Sequence, residues 1–298
     1  MNLFWPTYKR LENEMVALTS EIRFDDNQMK VYSDKLLELL IRISVEIEAI
    51  SKELYLTNGG KPTEHEEDMY FDTVCLQYLE EKWNLGKKAV LIDGYGIAFG
   101  EENKLITPLY KANKRGSSGS KWKQGYQAVK HNRVKNYEKG NIWNCINALA
   151  ALFILNIYYR NETYNLTSLS EANSFDDTLG SKLFRIIISK WEQFSGAMTV
   201  DEQSIYCINY TKDFIEKWNK KLIDLNFHLY QEILKDRAML DAINSGDFQL
   251  KELSNNEKVQ KIIGSKRFVE ILKNVSAKNN IGTVVNNQEF RAYLNKEC

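Results

Sequence analysis

The sequence predicts a mainly α-helical protein, with a multi-helix, bundle-like core that carries a small inserted β-hairpin and a few minor strands. Three observations predict it. Apolar residues recur at spacings of three and four over several long stretches, which gathers them on one helix face. Residues 142–159 form an apolar run with little polar surface, the signature of a central core helix. Patterning of the β type is confined to short runs beside glycines.

Tyr8, Leu11, Met15, Leu18 and Ile22 predict a first amphipathic helix ending before Asp25-Asp26-Asn27, with Pro6 in its tolerant first turn. Ser33 or Asp34 caps the second, whose stripe runs from Leu36 through Ile43, Ile47 and Ile50 to Leu54 and stops at Asn58-Gly59-Gly60. A third helix is predicted from about residue 63 to 84. It has seven acids and no Lys or Arg between Pro62 and Glu81, so one face is strongly negative. Residues 89–92 and 97–99 flank Gly94-Tyr95-Gly96 and predict a hairpin, with 105–107 as a further short run. Lys114-Arg115-Gly116-Ser117-Ser118-Gly119-Ser120 reads as a flexible surface loop, with Ser120 capping a helix over about 121–137. The apolar helix then occupies 141–160. Residues 161–180 read as loop and 181–189 as strand, because β-branched residues cluster there. Phe214, Trp218, Leu222, Leu225, Leu229 and Ile233 predict a helix over 211–236, followed by shorter helices.

A chain of 298 residues implies one large domain or two intimate ones. The division expected is a helical core over 1–160, with the hairpin at about 87–110, and an α-rich portion over 161–298 packed on it. The 43% hydrophobic and 12% aromatic content supplies a core and excludes global disorder. Cys75, Cys145, Cys207 and Cys298 are far apart and form no CxxC pair, so they read as reduced thiols. No apolar segment follows a basic start at residues 1–9, which predicts a cytoplasmic protein without a secretory signal. The run at 142–159 carries Asn144, Asn147 and Asn156 and reads as core, not as a membrane span.

Lys+Arg and Asp+Glu balance at 40 each, so any electrostatic argument is local. Residues 111–139 hold nine cations against one acid, Glu138. Within them, Lys130-His131-Asn132-Arg133 follows Trp122 and Tyr126 and precedes the apolar helix. Lysines and an arginine there can meet phosphates, with Lys121, Lys123, Lys130 and Asn132 as contacts and Trp122 or Tyr126 stacking on bases. An imidazole is a general acid or base near neutral pH, so His131 reads as the catalytic group and Arg133 as the group steadying a phosphorane. The bland reading of the same residues has His131 and Arg133 bonded to acids of the second helix, with the lysines a solvated face. Glu46 and Glu48, set inside the apolar run 39–50, are the supporting acids expected to meet Lys130 or Arg133, and Arg42 with Glu46 forms an i,i+4 pair.

Other patterns carry less. His65 lies among Glu64, Glu66, Glu67 and Asp68 and reads as surface acidity, so no metal site is expected. Gly94, Gly96 and Gly100 lack the lysine and serine of a phosphate loop. No cofactor motif is present.

Residues 126–155, YQAVKHNRVKNYEKGNIWNCINALAALFIL, resemble the helix pair of the HEPN superfamily, prokaryotic helical domains of defence and toxin systems. FWPTYKRLENEM at 4–15 and SVEIEAISKELY at 44–55 read like bacterial proteins with the same KHxR-like element. The resemblance implies a metal-independent ribonuclease site formed across a homodimer, with RNA or a nucleotide as partner. The order departs from the family's Arg followed four to six residues later by His, since His131 precedes Arg133. The competing reading is a non-enzymatic interaction or dimerisation module that uses opposite charges at 64–81 and 111–139.

Overall fold

The computed structural model describes residues 3–65, 68–191 and 198–296, so Cys298 and two acids of the predicted negative face, Glu66 and Glu67, lie outside the described residues. The protein is mainly helical, with short strands, and divides into two compact units. The first comprises Met1–Tyr164, Ser174–Asn209 and Ala292–Cys298; the second comprises Asn165–Asn173 and Tyr210–Arg291. The expected boundary at residue 160 is therefore displaced, because the 174–209 segment belongs with the first unit.

In the first unit, α1 (Phe4–Leu18) and β1 (Phe24–Asp25) lead into α2 (Asp34–Thr57). The Ser33 hydroxyl caps α2 by accepting from the Leu36 amide. The third helix is shorter than predicted. It opens as a π-helical turn at Phe71–Leu76 and continues as α3 (Gln77–Trp83), whereas residues 61–65 and 69–70 are not helical.

The pairing predicted between 89–92 and 97–99 does not form, and the antiparallel pair inside 87–110 joins 90–91 to 105–106 instead. β2 (Val90–Ile92) pairs antiparallel with β4 (Leu105–Ile106) and with β6 (Phe184–Ile186), while β3 (Ile97–Ala98) pairs parallel with β1. A short α4 (Glu101–Lys104) precedes β4. Closing β2 onto β3 would require the chain to turn back at Gly94; instead the next amide back, Asp93, donates to Leu183 O at 2.9 Å. β6 is followed by β7 (Ile188–Lys190), which pairs in parallel with β8 (Tyr206–Tyr210), so the 181–189 segment is extended as predicted.

The helix predicted over 121–137 ends early, as α5 (Lys121–His131), at an extended Asn132. α6 (Ile142–Arg160) begins at Asn141, whose side chain accepts from the Asn144 amide at 2.9 Å. α6 packs against α1, α2 and α5, and its buried residues run from Ile142 to Tyr158 on every face. It is the one helix among the described residues long and apolar enough to cross a bilayer, and 83% of its apolar window is buried inside the fold. Helices of this composition bury themselves because no face is polar enough for water.

A buried carboxylate explains why residues beyond 174 join this unit. Glu12, fully buried on α1, accepts from the Tyr8 hydroxyl at 2.7 Å, from the Lys182 amide at 2.8 Å, and from Ser181 and Lys9. A desolvated charge needs such a donor set, and here it pins the segment leading into β6 to α1. Arg42 also finds a long-range partner. It makes a two-pronged ion pair with Glu14, both bonds 2.7 Å, and not the predicted i,i+4 pair with Glu46.

β5 (Tyr164–Leu166) begins in the first unit and enters the second, where α7 (Leu169–Asn173) follows. The rest of the second unit is helical, with α8 (Lys212–Ile233), α9 (Arg237–Asn244), α10 (Asn256–Ile263), α11 (Ser265–Lys278) and α12 (Ile281–Asn286). Its core gathers Leu229, Ile233, Met239, Phe248, Val259 and Phe268. The chain returns to the first unit within β9 (Phe290–Leu294).

Candidate nucleic-acid interface

Helical phase divides α5 into two faces. Trp122, Tyr126 and Val129, at spacings of four and three, are buried, whereas Lys123, Gln127, Lys130 and His131 project to the other side. That second face forms one wall of a cleft of about 820 Å³. Glu48 and Lys52, one turn apart on α2, form another wall; Met69, Tyr70, Phe71 and Asp72 form a third, and Arg115 with Gly116 closes the rim.

The π-helical turn places Asp72. The amides of Val74 and Cys75 both bond the Tyr70 carbonyl at 3.1 Å, so one extra residue is accommodated in the turn. Such turns often mark functional sites. The Asp72 carboxylate, nearly buried, accepts from Arg115 Nε and Nη2, both 3.1 Å to Oδ1, from Lys123 Nζ at 3.1 Å and from the Thr73 amide at 2.7 Å. Burial alone would raise its pKa. The Arg115, Thr73 and Lys123 contacts outweigh burial and hold the carboxyl below its ordinary range.

Lys123 is buried at the base of the cleft, and burial pushes its ammonium pKa down despite Asp72. It also donates to Ala112 O at 2.8 Å and to Lys114 O. Lys123 therefore ties the loop carrying Arg115 to α5. The guanidinium of Arg115, half exposed, lies 4.1 Å from the centre of the Tyr70 ring. Lys130 is exposed above the Tyr126 ring and sits 3.8 Å from Glu48. The Tyr126 hydroxyl bonds to Glu48, and burial first, then that carboxylate, raises its pKa.

The structure brings together Lys123, Lys130, His131 and Glu48 of the residues predicted from sequence. It separates the others. Because α5 ends at His131, Arg133 turns away from the cleft to Asp34 at 3.5 Å and Glu38 at 4.0 Å. Asn132 caps the next turn by accepting from the Lys135 amide. Trp122 and Tyr126 are each 2% exposed, so neither ring can receive a base; Trp122 Nε1 donates to Pro108 O at 2.8 Å. Lys121 opens onto a different pocket, and Glu46 does not line the cleft. Lys52, Tyr70, Asp72, Arg115, Gln124 and Gln127 were missed as site residues. The spacing of Lys123, Gln127 and Lys130 could have revealed Gln127, since all three share one face beside the aromatic stripe.

The acidic face is also redistributed. Asp72 points into the cleft, and Glu80 accepts from the Gly86 amide at 2.5 Å. His228, the third histidine of the sequence, is exposed on α8 beside the Phe227 ring.

No family model, curated protein or solved structure matches this chain.

Proposed function

We propose that the cleft binds single-stranded RNA or a nucleotide, as a HEPN-like protein of the cytoplasm would, with His131 acting as acid or base in metal-independent RNA cleavage. The observation that carries the reading is the lining of the cleft. On a protein of zero formal charge, four cations (Lys52, Arg115, Lys123 and Lys130) face two carboxylates, one of which is already consumed by Arg115 and Lys123. The other, Glu48, lies 3.8 Å from Lys130, so Lys52 and Lys130 together keep one net positive charge to meet phosphates. Tyr70, 47% exposed and backed by Arg115, offers the aromatic platform that buried Trp122 and Tyr126 cannot. In cleavage, His131 would take the proton of a ribose 2′-hydroxyl as its oxygen attacks phosphorus; the O2′–P bond forms, the P–O5′ bond breaks, and the 5′-oxygen takes its proton from water, leaving a 2′,3′-cyclic phosphate.

The test is fluorescence anisotropy of labelled single-stranded RNA at two salt concentrations, with gel analysis of the RNA afterwards. Wild type should bind with steep salt sensitivity. Lys52→Ala/Lys130→Ala should weaken binding and flatten the salt slope by about 1.4 if two phosphate contacts are lost. His131→Ala should retain binding and lose cleavage, whereas Arg133→Ala, outside the cleft, should change neither. Absence of binding by folded wild type would sink the RNA reading; binding without cleavage would remove the nuclease part.

One observation favours the second reading, a protein-interaction or dimerisation module. Ile215, Ile223 and Phe227 stand exposed along one stripe of α8. If that stripe joins two copies, Ile223→Lys/Phe227→Lys should halve the mass measured by light scattering.

A further inference from the structure

A carboxylate repels phosphates, so a cleft that receives them gains nothing from one unless it meets another part of the ligand. Glu48 is such a group. It lies on α2 one turn before Lys52 and lines the cleft, its side chain 26% exposed. The fold orients it from behind. The hydroxyl of Tyr126, a residue 2% exposed, donates to its carboxylate, while Lys130 comes only to 3.8 Å, beyond hydrogen-bond distance. Resting on the RNA or nucleotide reading of the cleft, we infer that it selects guanine, with the Glu48 carboxylate accepting from N1–H and the N2 amino group of the base.

Only guanine meets a carboxylate with two prongs. The two oxygens accept best from a pair of adjacent donors, and guanine presents N1–H beside its N2 amino group on the Watson–Crick edge. Adenine presents a donor beside the bare lone pair of N1, cytosine a donor beside the lone pair of N3, and uracil one donor between two carbonyls. Each of these turns a lone pair toward the carboxylate or leaves one of its oxygens empty. In a single strand the Watson–Crick edge is free to be read in this way.

The rest of the lining suits the same base. Gln127, on the α5 face that carries Lys130, makes no side-chain hydrogen bond among the described residues, so its amide is free to donate to guanine O6. Tyr70, 47% exposed on a separate wall, offers its ring for stacking, with the Arg115 guanidinium 4.1 Å from the ring centre. The volume of about 820 Å³ falls in the range of pockets that enclose a small organic ligand, which a nucleotide is.

Guanine can arrive on a free nucleotide or within RNA, and the test has an arm for each. In one, GMP, IMP and AMP are titrated while thermal unfolding of the full chain is followed. In the other, labelled 2′-O-methyl oligouridines with one central guanosine, inosine or adenosine are titrated by anisotropy; they lack the 2′-hydroxyl that cleavage needs. Inosine differs from guanosine only in lacking the N2 amino group. Guanosine should therefore bind at least about tenfold more tightly than inosine, and adenosine no better than inosine.

Glu48→Gln is the decisive variant. Its amide keeps the size and can still accept from Tyr126, but it offers one acceptor and one donor, so the preference for guanosine over inosine should vanish. Loss of the negative charge should leave binding of an all-uridine oligonucleotide unchanged or tighter, which general damage to the cleft would not do. Tyr126→Phe, which lets the carboxylate turn, should lower the guanosine-to-inosine ratio less far. The arm that shows the preference identifies the source of the base. If both series bind without preferring guanosine, or if Glu48→Gln keeps the preference, the inference is overturned while the reading of the cleft stands; if wild type binds neither series, both fall.

Discussion

Replacing Lys123 by Met should destabilise the first unit by about 3 kcal/mol, the lower end of the range for breaking a buried ion pair. The estimate follows from what Lys123 leaves behind. Asp72 is 7% exposed at its side chain and would keep only half-exposed Arg115 and the Thr73 amide, while the carbonyls of Ala112 and Lys114 would lose a shared donor. For a unit of about 200 residues the loss corresponds to a fall in Tm of roughly 6–12 °C. Asp72→Asn should cost a similar amount, since it strands the buried ammonium. The double variant should cost clearly less than the two single losses together, because removing both charges abolishes the penalty of an unpaired one. Tryptophan fluorescence is the suitable signal, as five of the six tryptophans lie in the first unit and only Trp218 in the second. The pH dependence adds a check of sign. Asp72's carboxyl is held low, so its contribution is present above the unfolded carboxyl pKa of about 3.9 and is lost as pH falls through the lower folded value. The stability gap between wild type and Asp72→Asn should therefore persist from pH 7 to 5 and close only in stronger acid. A Lys123→Met protein within about 1 kcal/mol of wild type would refute the reasoning.

Three further outcomes follow from single positions. Gly140→Ala should lower Tm by several degrees, because the added Cβ would fall 2.4 Å from Leu37 Cβ and 2.5 Å from Leu37 Cα, contacts that only a backbone shift can relieve. Trp122→Phe should cost about 1–3 kcal/mol in urea unfolding by orphaning the Pro108 carbonyl, yet leave RNA affinity unchanged; a loss of affinity at unchanged stability would restore the stacking role first expected of it. In a Cys145→Ala/Cys207→Ala/Cys298→Ser background, Cys75 should resist a disulfide reagent at pH 8 until urea unfolds the chain, because burial pushes its thiol up to about 11 and leaves roughly one in a thousand ionised. Stoichiometric modification of the folded protein would show the thiol to be accessible.

The long helices were legible because their signals are local. The stripes of α2 and α8, the all-apolar run of α6 and the polar residues just before them each state an element without reference to the rest of the chain. What was not legible depends on distant partners. Gly94 and Gly96 suggest a hairpin to any local reading, but β2 pairs with Leu105–Ile106 and with Phe184–Ile186, and the second partner lies more than ninety residues away. Buried Glu12 and its donors Ser181 and Lys182 show the same limit, since neither position is unusual until the two meet. The candidate site divides similarly. Lys130 and His131 stood out in a basic segment, whereas Lys52 and Tyr70-Phe71-Asp72 had no cationic neighbours to mark them.

Charge counted along a sequence misleads because folding decides where each charge points. Of the nine cations in residues 111–139, Lys123 is consumed by Asp72, Arg133 by Asp34 and Glu38, and Arg115 is shared between Asp72 and the Tyr70 ring. Lys111 and Lys121 line one pocket and Lys130 another. The apparent single basic patch is thus a buried strut, a surface pair and two separate lining sets. Gly116 and Ser117 stand side by side in the loop between them, one lining the cleft and the other the second pocket, and Gln124 lines both. Because Lys123 anchors that loop through Ala112 and Lys114, a disturbance of the buried pair reaches both pockets at once. Lys123→Met should accordingly weaken RNA binding, although its ammonium is too buried to serve the ligand as an exposed contact.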